Sequence, residues 1–226
     1  MARFDRLTVL NTVLADGMVP LFFHSDPQTA IRTAGALHAG GSRVLEFTNR
    51  GDFAIDVFSA LVRHAAQHTP EQIIGVGSVE DAATAALFIA HGANFVVGPN
   101  FNAEVARLCN RRKIAYIPGC GSVTEIAEAE EWGVEIVKVF PGNAVGGPDF
   151  IKAVLGPRPW SRLMPTGGVK AEEADLRAWF DAGVACVGLG GDLVRKSLID
   201  AGDYDTLAAS TRAALTTIRT LRGEAK

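Results

Sequence analysis

Eight short apolar runs, each followed by a segment with helical spacing, predict a (β/α)8 TIM barrel with an extra N-terminal helix. Three observations carry this prediction. The strand–helix unit recurs at nearly constant spacing from residue 18 to residue 199. No Gly/Ser-rich linker, low-complexity tract or composition step divides residues 1–226, so they read as a single domain. A chain of 226 residues with a 48% apolar fraction is large enough for one barrel with a sizeable core. A doubly wound open sheet is the alternative; it would have fewer strands and usually a longer crossover.

The elements follow in order. Phe4, Leu7, Leu10, Val13 and Leu14 have helical spacing, and Asp16-Gly17 ends that helix. Met18 to Phe23 is a short strand containing Pro20. Ser25 or Asp26 caps the next helix, which has Pro27 in its first turn and closes at Gly40-Gly41. Arg43–Phe47, Gln72–Val76, Asn94–Val97 and Ala115–Ile117 are the next strands. Their helices are Phe53–Gln67, Val79–Ala90, Ala103–Arg112 and Val123–Trp132. A sixth strand lies within Val134–Gly142, followed by a helix over Asp149–Leu155. Leu163–Pro165 and Ala185–Val187 complete the strands, with helices Ala171–Asp181 and Leu193–Ile199, and Tyr204–Leu221 adds a C-terminal helix.

Composition narrows the function classes. A net charge of -3 gives no electrostatic basis for binding nucleic acid or an anionic membrane. Cys109, Cys120 and Cys186 are odd in number and lack CxxC spacing, which fits reduced thiols rather than disulfides or a zinc site. The N-terminus lacks the pattern of a signal peptide, and no apolar run reaches membrane-spanning length. The expectation is a soluble cytoplasmic enzyme or binding protein.

One residue stands out. The chain has six lysines; Lys113, Lys152, Lys170, Lys196 and Lys226 have ordinary solvated contexts, whereas Lys138 interrupts the apolar run Val137-Lys138-Val139-Phe140. A lysine there must pair, lose its proton or project into a polar pocket.

A barrel gathers its chemistry at the C-terminal ends of the strands. That mouth collects His24; Glu46, Thr48 and Arg50; Gly75, Gly77 and Ser78; Pro99 and Asn100; Cys120; Lys138 and Phe140; Thr166, Gly167 and Gly168; and Gly190 with Gly191. Glu46 and Thr48 share one strand face, and strands two and six oppose one another, so Glu46 faces Lys138. The glycine turns after strands seven and eight suit a phosphate or carboxylate, although tight turns need glycine for their geometry alone. Asp192 is read as the N-cap of the last barrel helix. His64 and His68 are read as surface residues, Glu125, Glu128, Glu130 and Glu131 as a solvated helix face, and Trp160 and Trp179 as core or interface residues.

Glu46-x-Thr48-x-Arg50, Gly75-x-Gly77-Ser78, Ile117-Pro118-Gly119, Lys138-x-Phe140-Pro141, Gly146-Gly147 and Pro165-Thr166-Gly167-Gly168 together resemble the 2-keto-3-deoxy-6-phosphogluconate (KDPG) and 4-hydroxy-2-oxoglutarate (KHG) aldolases. The resemblance spans about residues 19–194, with the motifs in the family's order. It implies a class I aldolase, a homotrimer, that forms a Schiff base with pyruvate and requires neither cofactor nor metal. Cleavage of KDPG to pyruvate and glyceraldehyde 3-phosphate leads the implied reactions. By the same resemblance Lys138 is the Schiff-base lysine and Glu46 the general acid/base. Arg50 and Ser78 bind the pyruvate carboxylate, and Pro99, Phe140, Thr166, Gly167, Gly168, Gly190 and Gly191 complete the substrate-binding set. The loop Gly188-Leu189-Gly190-Gly191-Asp192 departs from the family's Gly-Gly-Ser-Trp pattern: the serine hydroxyl is absent, and Asp192, where it does not serve as the helix cap, adds a negative charge at the place of the family's phosphate. Two other readings compete: a phosphosugar isomerase or epimerase on the same barrel, and a non-catalytic barrel that binds a keto acid.

Overall fold

The computed structural model describes residues 2–223, so Lys226 lies outside the described residues. Helix α1 (Arg6–Asp16) precedes β1 (Met18–Phe22), α2 (Pro27–Ala39), β2 (Val44–Thr48), α3 (Ala54–His68) and β3 (Ile73–Gly77). The chain continues through α4 (Ala82–Ala90), β4 (Phe95–Val97), α5 (Ala103–Arg112), β5 (Ala115–Ile117), β6 (Gly119–Cys120) and α6 (Val123–Glu131). It ends with β7 (Val137–Val139), α7 (Gly147–Leu155), β8 (Leu163–Pro165), α8 (Glu173–Asp181), β9 (Val187–Leu189), α9 (Lys196–Ala201) and α10 (Tyr204–Leu221). Side-chain caps set several helix starts: Asp5, Asp26, Asp81, Asn102, Ser122 and Asp203 each accept a backbone N–H of the first turn.

This is an α/β fold whose parallel sheet curls as a half-barrel, in the strand order β5-β4-β3-β2-β1-β9, with a second parallel sheet β6-β7-β8. The break between β5 and β6 falls at Pro118, which has no N–H to give to a ladder. β5 therefore pairs with β4 and β6 with β7, while the Pro118 carbonyl still accepts from Lys138 N–H at 3.0 Å. At the other seam, Thr166 bridges Gly188 in parallel and Ala185 N–H donates to the Leu163 carbonyl at 3.0 Å.

Two apolar clusters sit on the two faces of the strands. The larger joins strand residues such as Leu45, Val76, Val137 and Val139 to the buried faces of the helices. The smaller joins Val19, Val44, Ile73, Phe95, Ile136, Met164 and Cys186 to Val9, Leu10 and Val13 of α1. The alternation of strand side chains produces this division. All three cysteines are buried and free, and burial pushes each thiol up to about 12.

Some expectations are corrected. The last strand runs over Val187–Leu189 instead of Ala185–Val187, because its register with Met18, Val19 and Pro20 carries it toward the loops. The predicted helix start at Leu193 is a turn: Leu193 and Val194 both donate to the Gly190 carbonyl, and α9 begins at Lys196 with Arg195 as its cap. Asp192 therefore is not the N-cap of α9. Trp179 is core, but Trp160 is 64% exposed and lies under the Arg158 guanidinium. Glu130 is not merely solvated; it pairs with Arg158. His64 and His68 stack on α3 with ring centroids 4.0 Å apart. No helix among the described residues is long and apolar enough to cross a membrane.

Glycine substitutions test this packing. A Cβ on Gly75 would meet the Phe95 ring at 2.5 Å, whereas one on Gly35, exposed within α2, would meet nothing within 4 Å. Gly75→Ala is expected to destabilise by about 1–3 kcal/mol through overpacking. Gly35→Ala is expected to stabilise by about 0.5–1 kcal/mol through lower helix-forming entropy cost. Urea unfolding midpoints of the two variants check both signs.

Candidate active site

The site grows out of strand alternation. Val44, Ile73, Ile136, Met164 and Cys186 belong to the inner apolar cluster. Two residues further along each strand stand Glu46, Gly75, Lys138, Thr166 and Gly188. A period of two keeps these on the same face, one step toward the C-terminal ends. The polar residues thus rest on an apolar floor. Register brings them side by side: Glu46 pairs with Gly75, Thr48 with Gly77, and Lys138 with both Gly119 and Met164.

Glycines make room for the larger side chains. A Cβ on Gly77 would overlap Glu46 Oε1, and one on Gly188 would overlap Thr166 Oγ1. Any larger residue at either position would displace the polar group beside it. Glu46, Thr48, Lys138 and Thr166 are 2%, 1%, 6% and 4% exposed. Glu46 Oε2, Thr48 Oγ1 and Thr166 Oγ1 are buried without a protein hydrogen-bond partner. Such atoms are costly unless something else satisfies them; Thr166 lines one of the two cavities that share Arg50 and Thr48 the other, which points to a polar ligand.

Burial is the main influence on both central ionisable groups. It pushes Lys138 below the ordinary lysine range; Glu46 opposes this shift and Arg50 adds to it. It pushes Glu46 above the ordinary carboxyl range, while Lys138 and Arg50 act the other way. The Lys138 Nζ lies 4.7 Å from the Phe140 ring centroid, over its face. An amine biased toward neutrality can add to a carbonyl, and a carboxyl biased toward protonation can exchange protons nearby.

Arg50 is exposed at the end of β2, and its Nε donates to Ser78 Oγ at 3.3 Å. Ser78 has φ +59°, a left-handed conformation unusual for serine. Arg50 also joins two cavities. One, of about 350 Å³, is lined by Lys138, Phe140, Thr166, Gly167, Gly168 and Asp192, among others. The second, of about 360 Å³, is lined by Phe22, Phe23, His24, Thr48, Val194 and Ile199, among others. Leu21, Arg50, Gly190 and Gly191 line both.

The fold therefore brings Lys138, Arg50, Phe140, Thr166, Gly167, Gly168, Gly190 and Gly191 to one chamber. Glu46 acts on it from beneath, and Ser78 reaches it through Arg50. Pro99 is not among the lining residues of either cavity; its carbonyl packs against Gly119, the register partner of Lys138. His24 accepts the Asp26 N–H at 3.0 Å, the loop-capping role, and also lines the second cavity. Sequence reasoning did not assign Leu21, Val169 or Lys170 to the chamber lining. Leu21 was detectable, since it stands two residues beyond inward-facing Val19. Among the described residues, no group of three or more His, Cys, Asp or Glu could hold a metal ion.

The chain is similar to known proteins over most of its length. Residues 10–210 match the family model for KDPG and KHG aldolase. The chain is 35% identical over 198 residues to the 2-dehydro-3-deoxy-phosphogluconate aldolase of Pseudoalteromonas atlantica, covering 88% of this chain and 89% of that protein. It is 33% identical over 210 residues to the KHG/KDPG aldolase of Escherichia coli K12, covering 92% and 95%. The crystal structure of Legionella pneumophila KDPG aldolase, with pyruvate captured at low pH as a covalent carbinolamine intermediate, superposes with a TM-score of 0.82 at 30% identity, covering 90% of this chain and 96% of that one. A lysine on an apolar floor, glycines that clear space around its polar neighbours, and these extended matches lead to one conclusion: the chain belongs to the KDPG and KHG aldolase family.

Proposed function

We propose that this protein is a class I aldolase that reversibly cleaves a 2-keto-3-deoxy sugar acid, a phosphorylated one such as KDPG included, or 4-hydroxy-2-oxoglutarate, to pyruvate and an aldehyde. The observation that carries this reading is Lys138, 6% exposed, driven toward neutrality by burial and acted on electrostatically by Glu46 and Arg50. A barrel that only binds a keto acid gains nothing from holding an amine in that state. An isomerase or epimerase acting by proton transfer does not require an amine nucleophile.

Lys138 Nζ adds to the C2 carbonyl, and loss of water from the carbinolamine leaves an iminium. Removal of the C4 hydroxyl proton then breaks C3–C4; the electron pair moves into the iminium, forming an enamine and releasing the aldehyde. Protonation at C3 and hydrolysis free pyruvate and restore the lysine. Glu46 moves these protons, with Gly77 keeping its carboxyl in place. Arg50, oriented by Ser78, binds the pyruvate carboxylate. The Phe140 face stabilises the iminium cation. The Thr166 hydroxyl satisfies its hydrogen bond on the substrate. Gly167, Gly168, Gly190 and Gly191 admit its distal end, and Pro99 supports the strand beside the lysine.

The same reading includes a closed (β/α)8 barrel, with α1 as an additional helix across its N-terminal end. The inner apolar cluster, shared by α1 and residues from around the sheet, supports this closure. A cytoplasmic homotrimer completes the proposal; exposed Phe53 and Trp160 offer apolar surface for assembly. Sedimentation at a trimer mass is expected, and a monomer across the micromolar range would refute the assembly.

Borohydride reduction in the presence of pyruvate tests the mechanism. Mass mapping is expected to find the adduct on Lys138, and failure to trap any lysine under turnover conditions would sink the aldolase reading. Lys138→Ala is expected to lower kcat/KM by roughly 10,000-fold or more. Glu46→Gln is expected to slow cleavage roughly 100- to 10,000-fold while retaining some adduct.

The trapping rate against pH supplies a further test. Only neutral Lys138 attacks, so the rate rises with pH along a limb set by its pKa. Burial is expected to hold that limb below the ordinary lysine range. The Glu46 charge opposes this shift, so Glu46→Gln is expected to move the limb to still lower pH. An unshifted limb, or one moved upward by Glu46→Gln, contradicts the assigned electrostatics.

A further inference from the structure

The far end of the chamber does not resemble an open phosphate cradle. In α/β barrels a phosphate often lies where the loops after the last two strands meet a helix N-terminus, held by backbone N–H groups. In this protein two N–H groups of the segment that leads from the strand-seven loop to α8 are tied to carboxylates. Ala171 N–H donates to Asp192 Oδ2 at 2.6 Å, and Lys170 N–H donates to Asp175 Oδ2 at 2.7 Å. Trp179 Nε1, on a buried side chain, also donates to Asp175 Oδ2 at 3.2 Å, which fixes that carboxylate to α8.

Asp192 lines the same cavity of about 350 Å³ as Lys138, so its charge faces whatever extends from the lysine. Lys170 contributes an exposed ammonium to that cavity. Lys196, on the rim of the neighbouring cavity, is engaged by Asp200 at 2.6 Å. At the end away from Arg50 and Lys138, exposed Lys170 is set against the Asp192 carboxylate, which weakens the attraction for a dianion there. Other features suit an uncharged chain. Thr166 Oγ1 awaits a hydrogen-bond partner, Gly191 leaves open space, and the adjoining cavity is walled by Phe22, Phe23, Val194 and Ile199.

We infer that Asp192 is a specificity-determining residue that disfavours a terminal phosphate, so that the preferred substrate is an unphosphorylated 2-keto-3-deoxy sugar acid. This rests on the aldolase reading and deepens it. The Asp192 carboxylate satisfies Ala171 N–H with one oxygen and accepts a terminal hydroxyl of the substrate with its remaining lone pairs. A phosphate at the same place meets the like charge of Asp192.

The experiment compares kcat/KM for 2-keto-3-deoxygluconate and its 6-phosphate in the native enzyme, Asp192→Asn and Asp192→Ser. Asparagine keeps an acceptor for Ala171 N–H and removes the charge, so the loop retains its tie. The native enzyme is expected to favour the unphosphorylated acid. Each variant is expected to shift the ratio toward the phosphate ester by roughly tenfold or more, chiefly through its KM. A native preference for the ester, or a ratio unmoved by Asp192→Asn, overturns the inference. Borohydride trapping with pyruvate alone reads Lys138 without involving the distal end. Trapping with an unmoved ratio refutes only the role of Asp192, whereas failure to trap removes the aldolase reading and this inference together.

Discussion

A primary amine surrounded by apolar side chains is driven toward its neutral form, and the site depends on keeping Lys138 in that state. Ile136 lies two residues before it in the inner cluster, while Val137 and Val139 pack on the opposite face. The lysine is therefore desolvated from below and from behind at once. Arg50 reinforces the effect, whereas Glu46 opposes it. The balance leaves an amine biased toward neutrality, coupled electrostatically to a carboxyl group that burial has biased toward holding a proton.

Space is the second constraint. Four positions around the lysine carry large or polar groups, and each has a glycine as its neighbour. Gly77 yields to Glu46, Gly188 to Thr166, Gly119 to the Pro99 carbonyl and Gly75 to Phe95. These glycines are required less by backbone conformation than by the volume of what stands next to them. This complementarity links the packing of the sheet to the site: a methyl group added at Gly77 would displace the Glu46 carboxyl.

Much of the site was legible in the sequence, because burial and periodicity are local signals. A charged residue within an apolar run marked Lys138, and alternation placed Glu46 and Thr48 on one face. Residues on loops were harder to assign. Asp192 precedes an apolar run and suits a helix cap, yet the helix begins at Lys196 and the carboxylate instead binds Ala171, 21 residues away. Glu130 was misread for a related reason: it pairs with Arg158, 28 residues away.

The sequence by itself determined the order of the elements, the apolar faces, the isolated lysine and the motifs that mark the family. These depend on spacing along one strand or helix. Only the tertiary structure decided which glycine accommodates which side chain, how Ser78 holds Arg50, and which carboxylates occupy the distal amides. Those relations join residues from different loops, and loop paths follow from how neighbouring strands and helices pack, not from local propensity. The end of the site around Lys138 and Glu46 is built largely on strands and could be read ahead of the fold. The end around Gly168, Gly190 and Asp192 is built on loops, and the partners of its carboxylates emerged only with their positions.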